Sequence, residues 1–243
     1  MELSIFELSL FLGGTFVAAV VAGLAGFAFG LTAAAIWLYA LSPLQTAVLI
    51  VGFGLVVQGY SVWKLRASLR WGRLWPFLIG AALGVPLGVA ILGWAKPGAM
   101  RAGIGVVLVL YALYGLIRPA LPQMRGGGAA ADGGVGFLSG IIGGATGLAG
   151  ILAVIWCGLR GWTKDEQRAV FQPVGVAIFL LTAAWLGGTG KVSRDTIYLF
   201  ALGLPVLLVG TWLGLRLYGR LDEAGFRKAV LVLLLISGIA LVL

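Results

Sequence analysis

The sequence predicts an all-α polytopic membrane protein, and three observations carry that prediction. Of 243 residues, 61% are hydrophobic and only 10% are charged, against about 45–50% and about 25% in soluble domains. So few charges cannot cover the surface of a soluble fold, which excludes a soluble enzyme, a disordered chain and a nucleic-acid-binding domain. The apolar residues fall mostly in stretches of about 20, one crossing of a ~30 Å hydrocarbon core at 1.5 Å per residue, without the alternation of a barrel strand. Two stretches are over-long and rich in glycine, as broken helices are.

The elements follow in chain order. Segment 5–41 exceeds one crossing and contains Gly23-Leu24-Ala25-Gly26-Phe27-Ala28-Phe29-Gly30-Leu31. It predicts a helical hairpin that enters and returns on one side. Glu2 and Glu7, with no basic residue between them, do not resemble a cleaved signal peptide. Segments 44–63, 74–95 and 99–117 have the length of single crossings. Residues 119–132 hold Pro119, Pro122 and Gly126-Gly127-Gly128, the composition of a flexible linker. Segment 133–159 is too long for one crossing and too short for two. Its glycines at 140, 143, 144, 147 and 150 predict a second hairpin of two half-helices, about 10 residues and ~15 Å each. Segments 168–188, 195–215 and 225–243 complete eight hydrophobic segments. The loop 160–168 reads as a turn into a helix capped by Thr163, with Glu166 three residues on.

The order of segments predicts two homologous halves, 1–118 and 133–243, joined by the linker 119–132. Gly23–Leu31 lines up with Gly140–Leu148 at an offset of 117, and Gly84–Gly88 with Gly210–Gly214 at 126. Charge then selects the topology. If all eight segments cross once, the basic residues divide almost evenly between the sides. If 5–41 and 133–159 each return on the side they enter, loops 64–73, 118–125, 160–168 and 216–228 share one side and hold thirteen Lys and Arg against four. Only the second arrangement obeys the positive-inside rule. It gives six full crossings, two re-entrant segments, halves of inverted orientation and both termini outside.

Candidate site residues cluster at the two glycine runs. A broken helix exposes backbone N–H groups at the start of its second part, an end that favours anions. Gly26, Gly30, Gly143, Gly144 and Gly147 would let the backbone turn and a ligand approach. Thr146 and Thr32 are placed to cap or line the turns, with Phe27 and Phe29 beside them. Gln58 and Gln172 are the prominent polar residues within crossings, and a buried amide needs a partner. Small-residue packing between helices is the competing reading for each glycine, and an interhelical hydrogen bond for each glutamine. No Asp, Glu, Lys or Arg falls in the middle of a crossing, so the predicted site is neutral and dipolar. Arg168 opens a crossing and reads as an interfacial anchor or, alternatively, as a residue facing the vestibule, and Trp63, Trp71, Trp75, Trp94, Trp162 and Trp212 read as belt residues at segment ends. Cys157, the single cysteine, reads as a buried inert thiol. With no histidine and no paired nucleophile and base, no catalytic residue, metal site or cofactor is predicted.

The run Gly143-Gly144-Ala145-Thr146-Gly147-Leu148-Ala149-Gly150, followed by Leu159-Arg160-Gly161-Trp162 and Arg168-Ala169, resembles the second-half signature of the TauE/SafE sulfite-exporter family. Gly23–Leu31 resembles its first-half counterpart. The resemblance implies a multi-pass permease of the bacterial inner membrane that moves sulfite, thiosulfate, sulfoacetate or a related sulfonate, often outward. Two features depart from the family pattern: Phe27 and Phe29 stand in a usually denser glycine run, and Ala149-Gly150-Ile151 replaces Gly-Gly-Pro. The expected partners are a small sulfur-containing anion and the lipid bilayer, with no nucleic acid; a homo-oligomer is compatible with both. Uptake, a channel for another solute, and a non-transporting assembly subunit are the alternative readings.

Overall fold

The computed structural model describes residues 4–37, 39–64, 66–92, 97–117, 124, 126–146, 149–187 and 193–242. These residues form ten α-helices and one 3-10 turn, with no strand among them. The helices are α1 (Ile5–Ala25), α2 (Phe29–Trp37), α3 (Pro43–Lys64), α4 (Trp71–Leu92), α5 (Pro97–Ile117), α6 (Gly128–Thr146), α7 (Ile151–Leu159), α8 (Lys164–Gly187), α9 (Arg194–Tyr218) and α10 (Glu223–Val242). Five of them, α1, α3, α4, α8 and α9, are long and apolar enough to cross a membrane. The chain is a polytopic helical membrane protein.

The order of α1–α5 recurs in α6–α10: a long helix, a break, a nine-residue helix, then three long helices. The second over-long segment, 133–159, therefore differs from the expected pair of half-helices of about 10 residues, and both over-long segments share one shape. Each is a long arm of 21 or 19 residues joined to a short arm of 9. Helix α6 also starts inside the stretch read as linker, so residues 128–132 are helical.

Both short arms turn back along their long arms. Trp37 donates its indole N–H to the Phe11 carbonyl at 3.1 Å, which ties the end of α2 to the middle of α1. Trp156 donates to Asp132 at 2.8 Å, which ties α7 to the start of α6. Glycine lets the long arms pack on helices of the opposite half at backbone distance. Along α9, Gly203 meets Phe11, Gly210 meets Phe16 and Gly214 meets Gly23, so α1 and α9 run in the same direction. Along α4, Gly80 meets Gly133, Gly84 meets Phe137 and Gly88 meets Ile141, so α4 and α6 also run together. Helices α3 and α8 are antiparallel, with Gly54 against Phe179 and Gly175 against Gln58; so are α5 and α10, with Gly115 against Leu231 and Gly238 against Gly105.

One end of the bundle collects the basic loops. Arg73 bonds Glu166 at 2.8 Å, the Lys164 amide donates to Glu223 at 2.8 Å, and Tyr218 donates to Asp165. Met124 and Arg160 join the start of α6 to the end of α7 through the Leu159 and Gly126 carbonyls, at 2.9 and 2.7 Å. Residues from 64–73, 118–125, 160–168 and 216–228 thus meet at one end, as the charge count requires. The Thr163 hydroxyl and Glu166 form the expected reciprocal cap. Trp63, Trp71, Trp75 and Trp212 are exposed near helix ends, in keeping with a belt role. Cys157 is a buried free thiol.

From these directions, α1, α3 and α9 run toward the basic end, whereas α4, α6 and α8 run away from it. Helix α8 lies between the halves and places its first turns beside both breaks.

Candidate functional site

The site is built from two backbone reversals. After α1, Gly26 adopts φ +84°, and its N–H bonds the Ala22 carbonyl at 2.7 Å, which closes the helix with a left-handed cap. Ala28 follows at φ +67°, the one non-glycine residue with positive φ among the described residues. Its carbonyl accepts from Thr32 at 3.0 Å and starts α2. Before α7, Gly150 also adopts φ +84°, and its carbonyl accepts from Val154 at 3.0 Å. Ala28 and Gly150 therefore hold the same position in the two breaks, as the left-handed residue that opens a nine-residue helix. Their spacing is 122, against 117 for the glycine match.

Both reversals rest on the start of α8. A Cβ on Gly26 would lie 2.8 Å from Gln172 Nε2, 2.8 Å from the Phe171 ring and 3.0 Å from Arg168 Nε. A Cβ on Gly150 would lie 3.3 Å from the Phe171 carbonyl. Phe27 meets Phe171 edge-on at 6.2 Å. Phe27, Ile151, Val154, Phe171 and Tyr218 share one buried cluster. The meeting point lies about 6–12 Å along α8 at 1.5 Å per residue, nearer the basic end than the middle of the bundle.

Arg168 and Gln172, one turn apart, face the first break together. Arg168 is fully buried; it donates to the Gly23 carbonyl at 3.0 Å and the Leu24 carbonyl at 3.5 Å, and it lies 4.1 Å over the Tyr218 ring. A guanidinium from the second half thus caps the carbonyl end of the first half's long arm. Among the described residues no carboxylate forms an ion pair with it, and its Nε has no hydrogen-bond partner. Gln172, also fully buried, donates to the Gly26 carbonyl at 3.4 Å, and its Oε1 has no partner. Gln58 lies against Gly175, three residues further along α8, and its Oε1 is likewise buried and unpaired. The site is not neutral: a full positive charge sits in it, held by carbonyl dipoles and an aromatic face.

The other predicted residues divide. Gly26, Phe27 and Gln172 lie at the first break. Phe29 packs into a separate aromatic cluster with Trp37 and Phe53 at 5.9 and 6.1 Å. Gly30 meets Ile50 of α3, and Gly144 packs on Val85 of α4, so both are helix contacts. Gly143 meets Ile178 of α8 and Ala149, beside the second break. Thr32 is half-buried in the first turn of α2. Thr146 is the last residue of α6, and the residue that caps α7 is Gly150, which offers no side chain. Gly147 lies outside the described residues.

Arg168 is the residue that sequence reasoning misplaced. It stands at the start of a crossing, where an interfacial anchor is the ordinary reading; the end of α1 then covers it. The usable signal was its spacing of four from Gln172. Gly150 was one of five glycines marking the second turn, without a sign that it was the left-handed one, and Phe171 gave no signal.

The chain matches the family model described as sulfite exporter TauE/SafE over residues 10–241. No curated protein and no solved structure matches it.

Proposed function

The chain belongs to the sulfite exporter TauE/SafE family, and on that premise we propose that it carries small sulfur-containing anions outward across the inner membrane, without catalysis. Sulfite, thiosulfate, sulfoacetate and related sulfonates are the candidate substrates. The observation that carries this reading is the meeting of two helix starts, α2 and α7, on α8 beside a buried guanidinium edge that lacks a partner. Helix starts and an arginine fork both favour oxyanions. Gly26 keeps the backbone open at that point, since a side chain there would strike Arg168, Phe171 and Gln172.

The halves 1–118 and 133–243 are read as inverted repeats, with the basic end in the cytoplasm. Helix directions support this, because α1 runs opposite to α6, α3 opposite to α8, and α4 opposite to α9. Alternating access then occurs at the α8 contact. Since α1 packs along α9 and α6 along α4, the units that move are pairs drawn from both halves.

Purified protein in liposomes tests the proposal. Vesicles are loaded in turn with labelled sulfite, thiosulfate, sulfoacetate and sulfate, with and without a pH gradient. Saturable flux of a sulfur anion is expected, abolished in an Arg168→Gln variant that still inserts. An inserted wild-type protein that moves none of them would overturn the reading, and so would an Arg168→Gln variant with unchanged flux.

A further inference from the structure

Gln172 carries information about the substrate that Arg168 does not. Its amide is oriented by the first break: Nε2 donates to the Gly26 carbonyl at 3.4 Å. The reversed amide would place two oxygens against each other. The remaining atom, Oε1, is therefore an acceptor, buried and without a protein partner. Phe171, which precedes Gln172 in the chain, packs edge-to-face with Phe27 in a buried apolar cluster, and neither ring supplies a conventional donor. One turn earlier, Arg168 Nε is a donor, equally buried and equally without a partner. Both side chains abut the same point of the backbone, within 2.8 and 3.0 Å of where a Gly26 Cβ would stand.

The pair thus holds one cationic donor and one neutral acceptor, both buried and unpaired, one helical turn apart on α8. An oxyanion that carries only acceptors satisfies Arg168 and sets its lone pairs against Oε1. An anion that also bears an O–H or N–H satisfies both atoms. We propose that Gln172 is a specificity-determining residue, and that the substrates this protein favours are sulfur oxyanions carrying a hydrogen-bond donor beside the charged oxygens, such as a protonated oxyanion or a hydroxyl-bearing sulfonate. This inference rests on the anion-carrier reading above and narrows it.

Two sulfonates of equal charge and nearly equal size separate the alternatives: ethanesulfonate, which has acceptors only, and 2-hydroxyethanesulfonate, which adds one O–H. Labelled forms of each are followed in proteoliposomes beside sulfite. Wild-type protein is expected to prefer the hydroxyl-bearing anion in kcat/KM by about fivefold or more, the worth of one neutral hydrogen bond. In Gln172→Leu the ratio falls to near one, mainly through loss of the hydroxyl-bearing flux, while Arg168→Gln loses both fluxes. Equal wild-type fluxes would overturn the inference and leave the carrier reading intact. A preference that survives in Gln172→Leu, or in Gln172→Met where the leucine variant does not insert, would remove it from Gln172. Flux of sulfite with neither sulfonate also overturns it. Flux of nothing, sulfite included, overturns the carrier reading itself.

Discussion

Ala28 and Gly150 hold one backbone position with two different residues. A left-handed conformation costs a residue with a Cβ about 1 kcal/mol or more, and costs glycine little. Ala28→Gly is therefore expected to raise the melting midpoint of detergent-solubilised protein, since Ala28 bears that cost at φ +67°. The reverse change, Gly150→Ala, is expected to lower it and to press on the Phe171 carbonyl. Gly26→Ala combines left-handed strain with contact to three side chains. It is expected to destabilise by about 1–3 kcal/mol and to slow transport more than Gly150→Ala does, as read by melting and flux together. An unchanged midpoint in Ala28→Gly would mean that α2 starts differently from α7. Much of this site was legible in the residues: glycine density located both breaks, and Gln172 stood out as a polar residue within a crossing. Arg168 was marked only by its spacing of four from Gln172, because its burial depends on where the far end of α1 comes to rest.

At the scale of helices, hydropathy marked a polytopic helical chain, yet eight apolar segments stand against ten helices among the described residues, and the unequal arms of the two hairpins were not foreseen. Hydropathy measures how far an apolar run extends. The point at which it reverses is set by left-handed residues, and Ala28 carries no compositional mark of that role. The glycines that hold the long arms are easier to test. On α4, a Cβ at Gly84 would strike the Phe137 carbonyl of α6, a backbone atom that cannot rotate away. Gly134 of α6 has nothing within 4 Å of its Cβ position. Gly84→Ala is expected to separate α4 from α6 and lower the yield of folded protein sharply. Gly134→Ala is expected to be neutral or stabilising by up to about 1 kcal/mol, the difference in helix propensity. Comparable losses in both would show that helix propensity, and not the close approach, governs these positions.

The whole molecule has a sidedness that its charges predict. Single cysteines at Ala67, near the basic end, and at Arg194, at the start of α9, should label from opposite faces of intact cells. Ala67→Cys is expected to react only with reagents that enter the cytoplasm, and Arg194→Cys with impermeant ones; the reverse pattern would invert the proposed topology. Native Cys157 is buried and should stay silent. The interlocking of long arms across the halves has a further consequence, for how the chain is made. Helix α1 emerges from the ribosome first, but the surface it packs along, α9, begins only at residue 194. At about 5–20 residues per second, the glycine face of α1 waits on the order of ten to forty seconds for its partner. Through that interval the nascent protein holds an unfinished first half, and the insertion machinery or the lipid around it must shield that face until synthesis is nearly over.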